Sequence, residues 1–283
     1  MANISLVSKD EQICKHYIES LATELRLLGH HVTLHENITW DEGEKSLDAT
    51  TFPLIPPLFT ESAVPDYVVV GGGDGTILLT VHRMPIQVPL IGINFGGVGF
   101  LADLHPDTTF AFLKSFFEQK NPKIDQRMRI RCAVNGIYAG TALNEVLIMT
   151  DRPLKMLKLT VYIDGVKAEE LRADGLVIST PTGSTAYAMS AGGPIVDPRL
   201  EAFIMVPIAP FILTNRPHLI ETGRNVSIRL DGEKPALLVI DGQKVITLKH
   251  DSMISIEKSP DPALFIDAGE NFFEKVTRKL RHL

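Results

Sequence analysis

The chain has 283 residues, of which 45% are hydrophobic and 22% charged, and its formal charge is −6. At ~150 residues per domain this is two domains or one large one, and the composition is that of a soluble globular protein, which excludes disorder and collagen-like repeats. The acidic balance argues against broad nucleic-acid binding, and no apolar run approaches the ~18 residues that a membrane span needs.

In chain order, Met1-Ala2-Asn3-Ile4-Ser5 lacks a charged segment followed by an apolar stretch, so no secretory signal is expected. Ile4-Ser5-Leu6-Val7 reads as a short strand. Ile13, Tyr17, Ile18, Leu21, Leu25 and Leu28 then recur at helical spacing, with Gly29 placed as a C-cap. His31-Val32-Thr33-Leu34 reads as a second strand, and the proline-rich stretch 53–65 as a loop or an interrupted element. Tyr67-Val68-Val69-Val70 is a strand that runs into Gly71-Gly72-Gly73-Asp74-Gly75-Thr76, with a helix over 77–82. Pro89-Leu90-Ile91-Gly92-Ile93 is another buried strand, and 107–119 another helix. Strands alternating with helices predict a Rossmann-like α/β domain over 1–122, its parallel sheet covered on both faces.

From about residue 124 the period becomes two. Arg127, Arg129 and Arg131 alternate with Met128, Ile130 and Cys132, and Leu159, Val161 and Ile163 alternate with Lys158, Thr160 and Tyr162. Asn135-Gly136, Asp164-Gly165, Asp231-Gly232 and Asp241-Gly242 read as tight hairpin turns, because these residues tolerate positive φ. An antiparallel, β-sandwich-like domain is predicted over 123–267. A C-terminal helix follows over 268–283, with Phe272, Phe273, Val276 and Leu280 on one face. Cys14 and Cys132, the only cysteines, are far apart in apolar settings and read as buried thiols of a reducing, cytoplasmic compartment. Neither has a neighbour at metal-site spacing, and the nine histidines are scattered, so no metal site made of protein ligands is expected.

Three segments carry chemistry. Glycines at 71–75 let backbone N–H groups approach a ligand, and the following helix N-terminus favours anions. The loop is neither a Rossmann fingerprint, which needs glycine where Thr76 stands, nor a Walker loop, which needs Gly-Lys-Ser/Thr. A carboxylate beside phosphates is repelled unless it binds a cation or takes up a proton, so Asp74 is a candidate general base for a hydroxyl nucleophile. The plainer reading makes Asp74 a helix cap. The second segment, Asn94-Phe95-Gly96-Gly97-Val98-Gly99-Phe100, puts another glycine loop at a strand C-terminal end, where open α/β sheets bind ligands. The third runs from Arg172-Ala173-Asp174-Gly175 to Thr180-Pro181-Thr182-Gly183-Ser184-Thr185-Ala186-Tyr187. Its hydroxyls could hold sugar and base edges while Tyr187 offers a flat face, or Tyr187 could be a core residue. Asn144-Glu145, inside an apolar run, serves either a ligand or cross-strand structural bonds.

Together these motifs resemble the NAD kinase family: Gly-Gly-Asp-Gly-Thr at 72–76, Gly-Gly-x-Gly-Phe-Leu at 96–101, Asn144-Glu145 and the segment 174–187, in a resemblance that runs from Val68-Val69-Val70 to Asp241-Gly242-Gln243. The first motif alone is similar to lipid kinases and phosphofructokinases as well, and 174–187 is what points to a dinucleotide. The resemblance implies transfer of a terminal phosphate, from ATP or polyphosphate, to the 2′-hydroxyl of the adenosine ribose of NAD, giving NADP. It implies a divalent cation, usually magnesium, brought with the donor phosphates. By the same resemblance Asp74 is the base, and Gly72, Gly73, Gly75 and Thr76 cradle donor phosphates. Asn144 and Glu145 hold the adenosine and its ribose hydroxyls, and Asp174, Thr185, Ala186, Tyr187 and Ser190 hold the dinucleotide, with Arg172 and Gln243 also assigned to its binding. Phe100 and Leu101 line it from the N-terminal domain. A homodimer or homotetramer, sharing the dinucleotide site between β domains, is also implied. The chain departs at Pro210-Phe211, where many relatives have Pro-His before a pair such as Arg216-Pro217.

Overall fold

The computed structural model describes residues 1–38, 56–96, 99–152, 155–212 and 214–280. Gly97 and Val98 of the second glycine loop, and residues 53–55 of the proline-rich stretch, lie outside the described residues. The chain divides into two compact units. One takes the described residues up to Gln126 together with the chain from Ala263, and the other takes Arg127–Pro262. No helix among the described residues is long and apolar enough to cross a membrane.

The first unit is built on a seven-stranded sheet. Its order is His31–Ile38, Asn3–Lys9, Tyr67–Gly71, Leu90–Ile93, Ala263–Ile266, Ile124–Arg127, with the short strand Ala102–Leu104 also paired to Leu90–Ile93. The first four are parallel to one another. Val68, Val69 and Val70 are all buried, as a strand covered on both faces requires. The helix Gln12–Leu27 buries Cys14, Ile18, Leu21, Ala22 and Leu25. Ile13 and Leu28, expected on that face, are 76% and 41% exposed, because the helical repeat gives the buried seam to Cys14 and its partners. Gly29 ends the helix at φ +87°, as expected of its position. Helices Asp74–Arg83 and Pro106–Phe117 match the remaining expectations to within a turn.

Two segments read as part of the β-rich half belong to this sheet. Ile124–Arg127 is its edge, and Ala263–Ile266 enters parallel to Leu90–Ile93 with Phe265 opposite Leu90. A short apolar strand looks the same in either sheet, so its period alone does not assign it. The last helix, Phe272–Leu280, buries Lys275 and Val276 and leaves Phe273 53% exposed, so its inner face is not the all-apolar one read from the sequence.

The second unit holds two six-stranded antiparallel sheets. One runs Val166–Ala173, Leu157–Ile163, Val226–Asp231, Met253–Lys258, Ile130–Val134, Ile137–Ala142. The other runs His218–Glu221, Ala202–Ile208, Gly175–Ser179, Glu145–Thr150, Ala236–Ile240, Lys244–Leu248. Ile130, Cys132, Leu159 and Ile228 of the one meet Val146, Ile148, Ile178 and Leu238 of the other in a single core, which makes a sandwich. Asn135, Asp164 and Asp241 adopt φ of 51°, 52° and 49°, each followed by a positive-φ glycine, in hairpins whose loops hold two residues at Asn135 and Asp164 and three at Asp241. Asp231-Gly232 is not a fourth hairpin. Asp231 ends a strand of one sheet, held by the Thr160 hydroxyl at 2.5 Å and Arg229 Nε at 2.6 Å, and the chain then crosses to Ala236–Ile240 of the other.

Candidate active site

In the first unit the two glycine loops leave neighbouring parallel strands, whose ends are tied by the Gly72 N–H donating to the Ile93 carbonyl at 3.0 Å. A Cβ on Gly72 would stand 2.5 Å from Thr76 Oγ1, so only glycine lets the helix begin this close to the strand. Gly73 is the N-cap, in extended conformation, and its carbonyl accepts from the N–H groups of Thr76 and Ile77 at 3.0 and 3.2 Å. Gly73 and Gly75 are exposed, while Asp74 and Thr76 are half-buried. The N–H groups of Asp74 and Gly75, which open the helix, have no acceptor within it and, with its dipole, form an end that suits an anion.

Asp74 opens that helix without capping it, since no side chain bonds back to its N-terminus. Its carboxylate turns instead to the second glycine loop. It accepts the Phe100 N–H at 2.6 Å and the Leu101 N–H at 2.9 Å, one on each oxygen. Gly99 makes room for this, because a Cβ there would stand 2.5 Å from Asp74 Oδ1. The cap reading of Asp74 is thereby replaced by a carboxylate aimed by two charge-assisted bonds across two loops. Phe100 and Leu101 enter this arrangement through their backbone.

In the second unit, Asn144 and Glu145 sit where the strand Glu145–Thr150 begins, paired with the end of Gly175–Ser179. The Thr180 N–H and the Ser179 hydroxyl donate to the Asn144 carbonyl at 2.8 and 3.0 Å, and the Thr180 hydroxyl donates to the Leu143 carbonyl at 2.6 Å. Gly183 lies so close to the Asn144 carbonyl that a Cβ would collide with it. The turn 182–185 therefore packs onto this strand end and delivers Thr185, Ala186, Tyr187 and Ser190 to it. Tyr187 is 42% exposed, which removes the core reading of its ring. Thr185 is buried, Ala186 half-buried and Ser190 exposed. Burial, and then the charge of Asp241, pushes the Glu145 carboxyl up to about 8, against a smaller opposing pull from the Tyr187 N–H. Glu145 Oε2 and both amide atoms of Gln243 are buried without a hydrogen-bond partner. Unmet polar atoms of this kind, gathered at one strand end, are what a polar ligand would satisfy.

Asp241 does more than make its hairpin turn. Its buried carboxylate accepts the N–H groups of Leu143, Asn144 and Glu145 at 2.7, 2.8 and 2.9 Å and so fixes the Asn144-Glu145 corner. Nothing local in the sequence signals this, since the two segments meet only through sheet pairing. Arg172 and Asp174 stand apart from the group. They precede Gly175–Ser179, whereas Tyr187 follows it, so about 16 Å of strand separates them at ~3.3 Å per residue. Arg172 stacks over the exposed Phe211 ring, 5.1 Å from its centroid, and the Asp174 N–H donates to the Ile208 carbonyl at 3.0 Å.

Residues 23–121 match the ATP-NAD kinase N-terminal domain and residues 143–268 the ATP-NAD kinase C-terminal domain. An NAD kinase of Methanospirillum hungatei is 58% identical over 268 residues, which are 94% of this chain and 95% of that protein. One of Methanoculleus marisnigri is 53% identical over 281 residues, 99% of each. Among solved structures, an NAD kinase from Archaeoglobus fulgidus in complex with ATP superposes with a TM-score of 0.81 at 31% identity, covering 99% of both chains. A yeast NADH kinase complexed with NADH has the same fold, at a TM-score of 0.82 and 23% identity, over all of this chain and 87% of that one.

Proposed function

The chain belongs to the NAD kinase family, and from that premise we propose that it transfers the terminal phosphate of ATP to the 2′-hydroxyl of the adenosine ribose of NAD. It is a phosphotransferase. The observation that carries the reading is the Asp74 carboxylate, held by the Phe100 and Leu101 N–H groups at the start of a helix whose free N–H groups suit phosphates. In the first unit Gly72, Gly73, Gly75 and Thr76 would cradle the donor phosphates. Asp74 would take the 2′-hydroxyl proton as that oxygen attacks the terminal phosphorus, the bond to ADP breaks, and ADP leaves with the electron pair. Such chemistry asks mainly for position and charge neutralisation.

In the second unit Asn144, Glu145, Thr185, Ala186, Tyr187, Ser190 and Gln243 would hold the adenosine end, where the unmet polar atoms of Glu145 and Gln243 gather. Arg172 and Asp174, a strand length away, would serve a dinucleotide through a second copy of the chain, in the assembly that the resemblance implies. Among the described residues no three His, Cys, Asp or Glu side chains gather as a metal site. A divalent cation, magnesium in this reading, would arrive with the donor phosphates and neutralise their charge beside Asp74. The two buried free thiols suit a cytoplasmic enzyme.

Asp74→Asn tests the reading. Loss of a general base costs about 10²–10⁴-fold in kcat, with little change in NAD affinity. Asparagine keeps one acceptor for the two loop N–H groups, so the unfolding temperature is measured alongside. Turnover within a few-fold of wild type refutes the role of Asp74, and partial rescue by excess magnesium reassigns it to the cation. A panel of ATP and polyphosphate, each with NAD and NADH, tests donor and acceptor.

A further inference from the structure

The last helix, Phe272–Leu280, brings a row of cations to the first unit, and all but one are spoken for. Lys275, almost wholly buried, pairs with Asp103 and, at 3.7 Å, with Glu270, and Arg278 pairs with Glu270. Lys279 differs. Its Nζ is sealed from solvent and has no hydrogen-bond partner among the described residues. It lies 5.4 Å from the centroid of the Phe100 ring, whose own N–H donates to Asp74, and it is near enough to Asp74 for the two charges to attract. An ammonium carries three donors, and leaving them unmet in a buried place is costly unless a ligand meets them.

We propose that Lys279 is a catalytic residue whose ammonium contacts a phosphate oxygen of the donor nucleotide beside Asp74. This rests on the reading of the 72–76 loop as the phosphate site and adds to it a cation from the far end of the sequence. The surroundings select an anion. Burial first, and then the neighbouring Lys275, hold the Lys279 ammonium below the ordinary lysine range, while Asp74, Glu270 and Asp103 pull the other way. Asp103 and Glu270 are already engaged by Lys275 and Arg278, and Asp74 by two N–H groups. A phosphate carrying two or more negative charges supplies what these acids do not. No covalent bond to Lys279 forms; it donates hydrogen bonds to the phosphate, whose charge moves toward the leaving ADP as transfer proceeds.

The test uses the full chain as wild type, Lys279→Met, Lys279→Gln and Lys279→Arg. Calorimetry with ATP in the absence of NAD reads donor binding alone, so a failure of the NAD reading and a failure of this one give separate results. Steady-state KM for ATP and for NAD, and the unfolding temperature, are measured beside it. The methionine and glutamine variants should bind ATP about 10–100-fold more weakly, as for loss of one charge-assisted bond, with KM for NAD unchanged and the arginine variant close to wild type. ATP affinity within twofold of wild type in the neutral variants overturns the proposal. So does a parallel loss of ATP and NAD affinity with a lowered unfolding temperature, which would make Lys279 a packing residue. If methionine prevents folding, the glutamine variant decides.

Discussion

Replacing Glu145 by glutamine removes a buried acid at nearly constant size, and the structure sets what this does to stability. The folded chain raises this carboxyl from an ordinary 4.5 to about 8, by burial and by the charge of Asp241. Between those values the folded state keeps a proton that the unfolded state has released. Stability from the group is therefore fully present below pH 4.5 and drains away as the pH rises through about 8. At about 1.4 kcal/mol per pH unit where the slope is full, wild type should lose about 2 kcal/mol relative to Glu145→Gln between roughly pH 6 and pH 8. Urea unfolding of both proteins across that range, at fixed ionic strength, reads the difference, and titrations common to both cancel. A difference flat in pH would mean that the folded carboxyl is already ionised. The picture of a Glu145 carboxyl with one buried, unpartnered oxygen would then be refuted.

Tyr187→Ala should raise KM for NAD with the unfolding temperature nearly unchanged, since loss of a stacking face costs about 1–3 kcal/mol and the residue is 42% exposed; unchanged NAD affinity by calorimetry would remove the stacking role. Gly99→Ala should push the Asp74 carboxylate off the Phe100 and Leu101 N–H groups and lower kcat at least tenfold with the fold retained, and wild-type turnover in that variant would show that the aim of the carboxylate is immaterial. Light scattering at micromolar concentration should give the mass of a dimer or tetramer, and Asp174→Ala should weaken NAD binding. A fully active monomer would sink both expectations.

The parts of the site that one stretch of chain builds were legible in advance. A fully apolar strand at 67–70 followed by glycines has few outcomes other than a strand, a tight turn and a helix start, and hairpins at Asn135, Asp164 and Asp241 follow from their tolerance of positive φ. What depends on pairing across long separations was not. Asp241 and Asp231 look alike as Asp-Gly turns. One fastens the Asn144-Glu145 corner and the other ends a strand, and only the sheet order distinguishes them. The direction of the Asp74 carboxylate depends on where the 99–101 backbone passes, and nothing in the sequence sets Lys279 apart from its charged neighbours at 275 and 278. Arg172 and Asp174 share a motif with Tyr187, yet an extended strand carries them apart, because a β-strand converts sequence proximity into distance faster than any other element.

The strand Ala263–Ile266 fills a place between Leu90–Ile93 and Ile124–Arg127, strands made long before it. At ~5–20 residues per second, synthesis leaves that gap for on the order of ten seconds after its walls exist. During that time the strands of the antiparallel unit are made one after another, its last being Met253–Lys258, while the Leu90–Ile93 edge carries only the short strand Ala102–Leu104. The phosphate loops are thus attached to a sheet that is finished only near the end of translation. A chain truncated before Ala263 should accordingly lack a finished sheet beneath the phosphate loops, and the open part of the Leu90–Ile93 edge makes the waiting sheet a site where the nascent chain needs protection from aggregation.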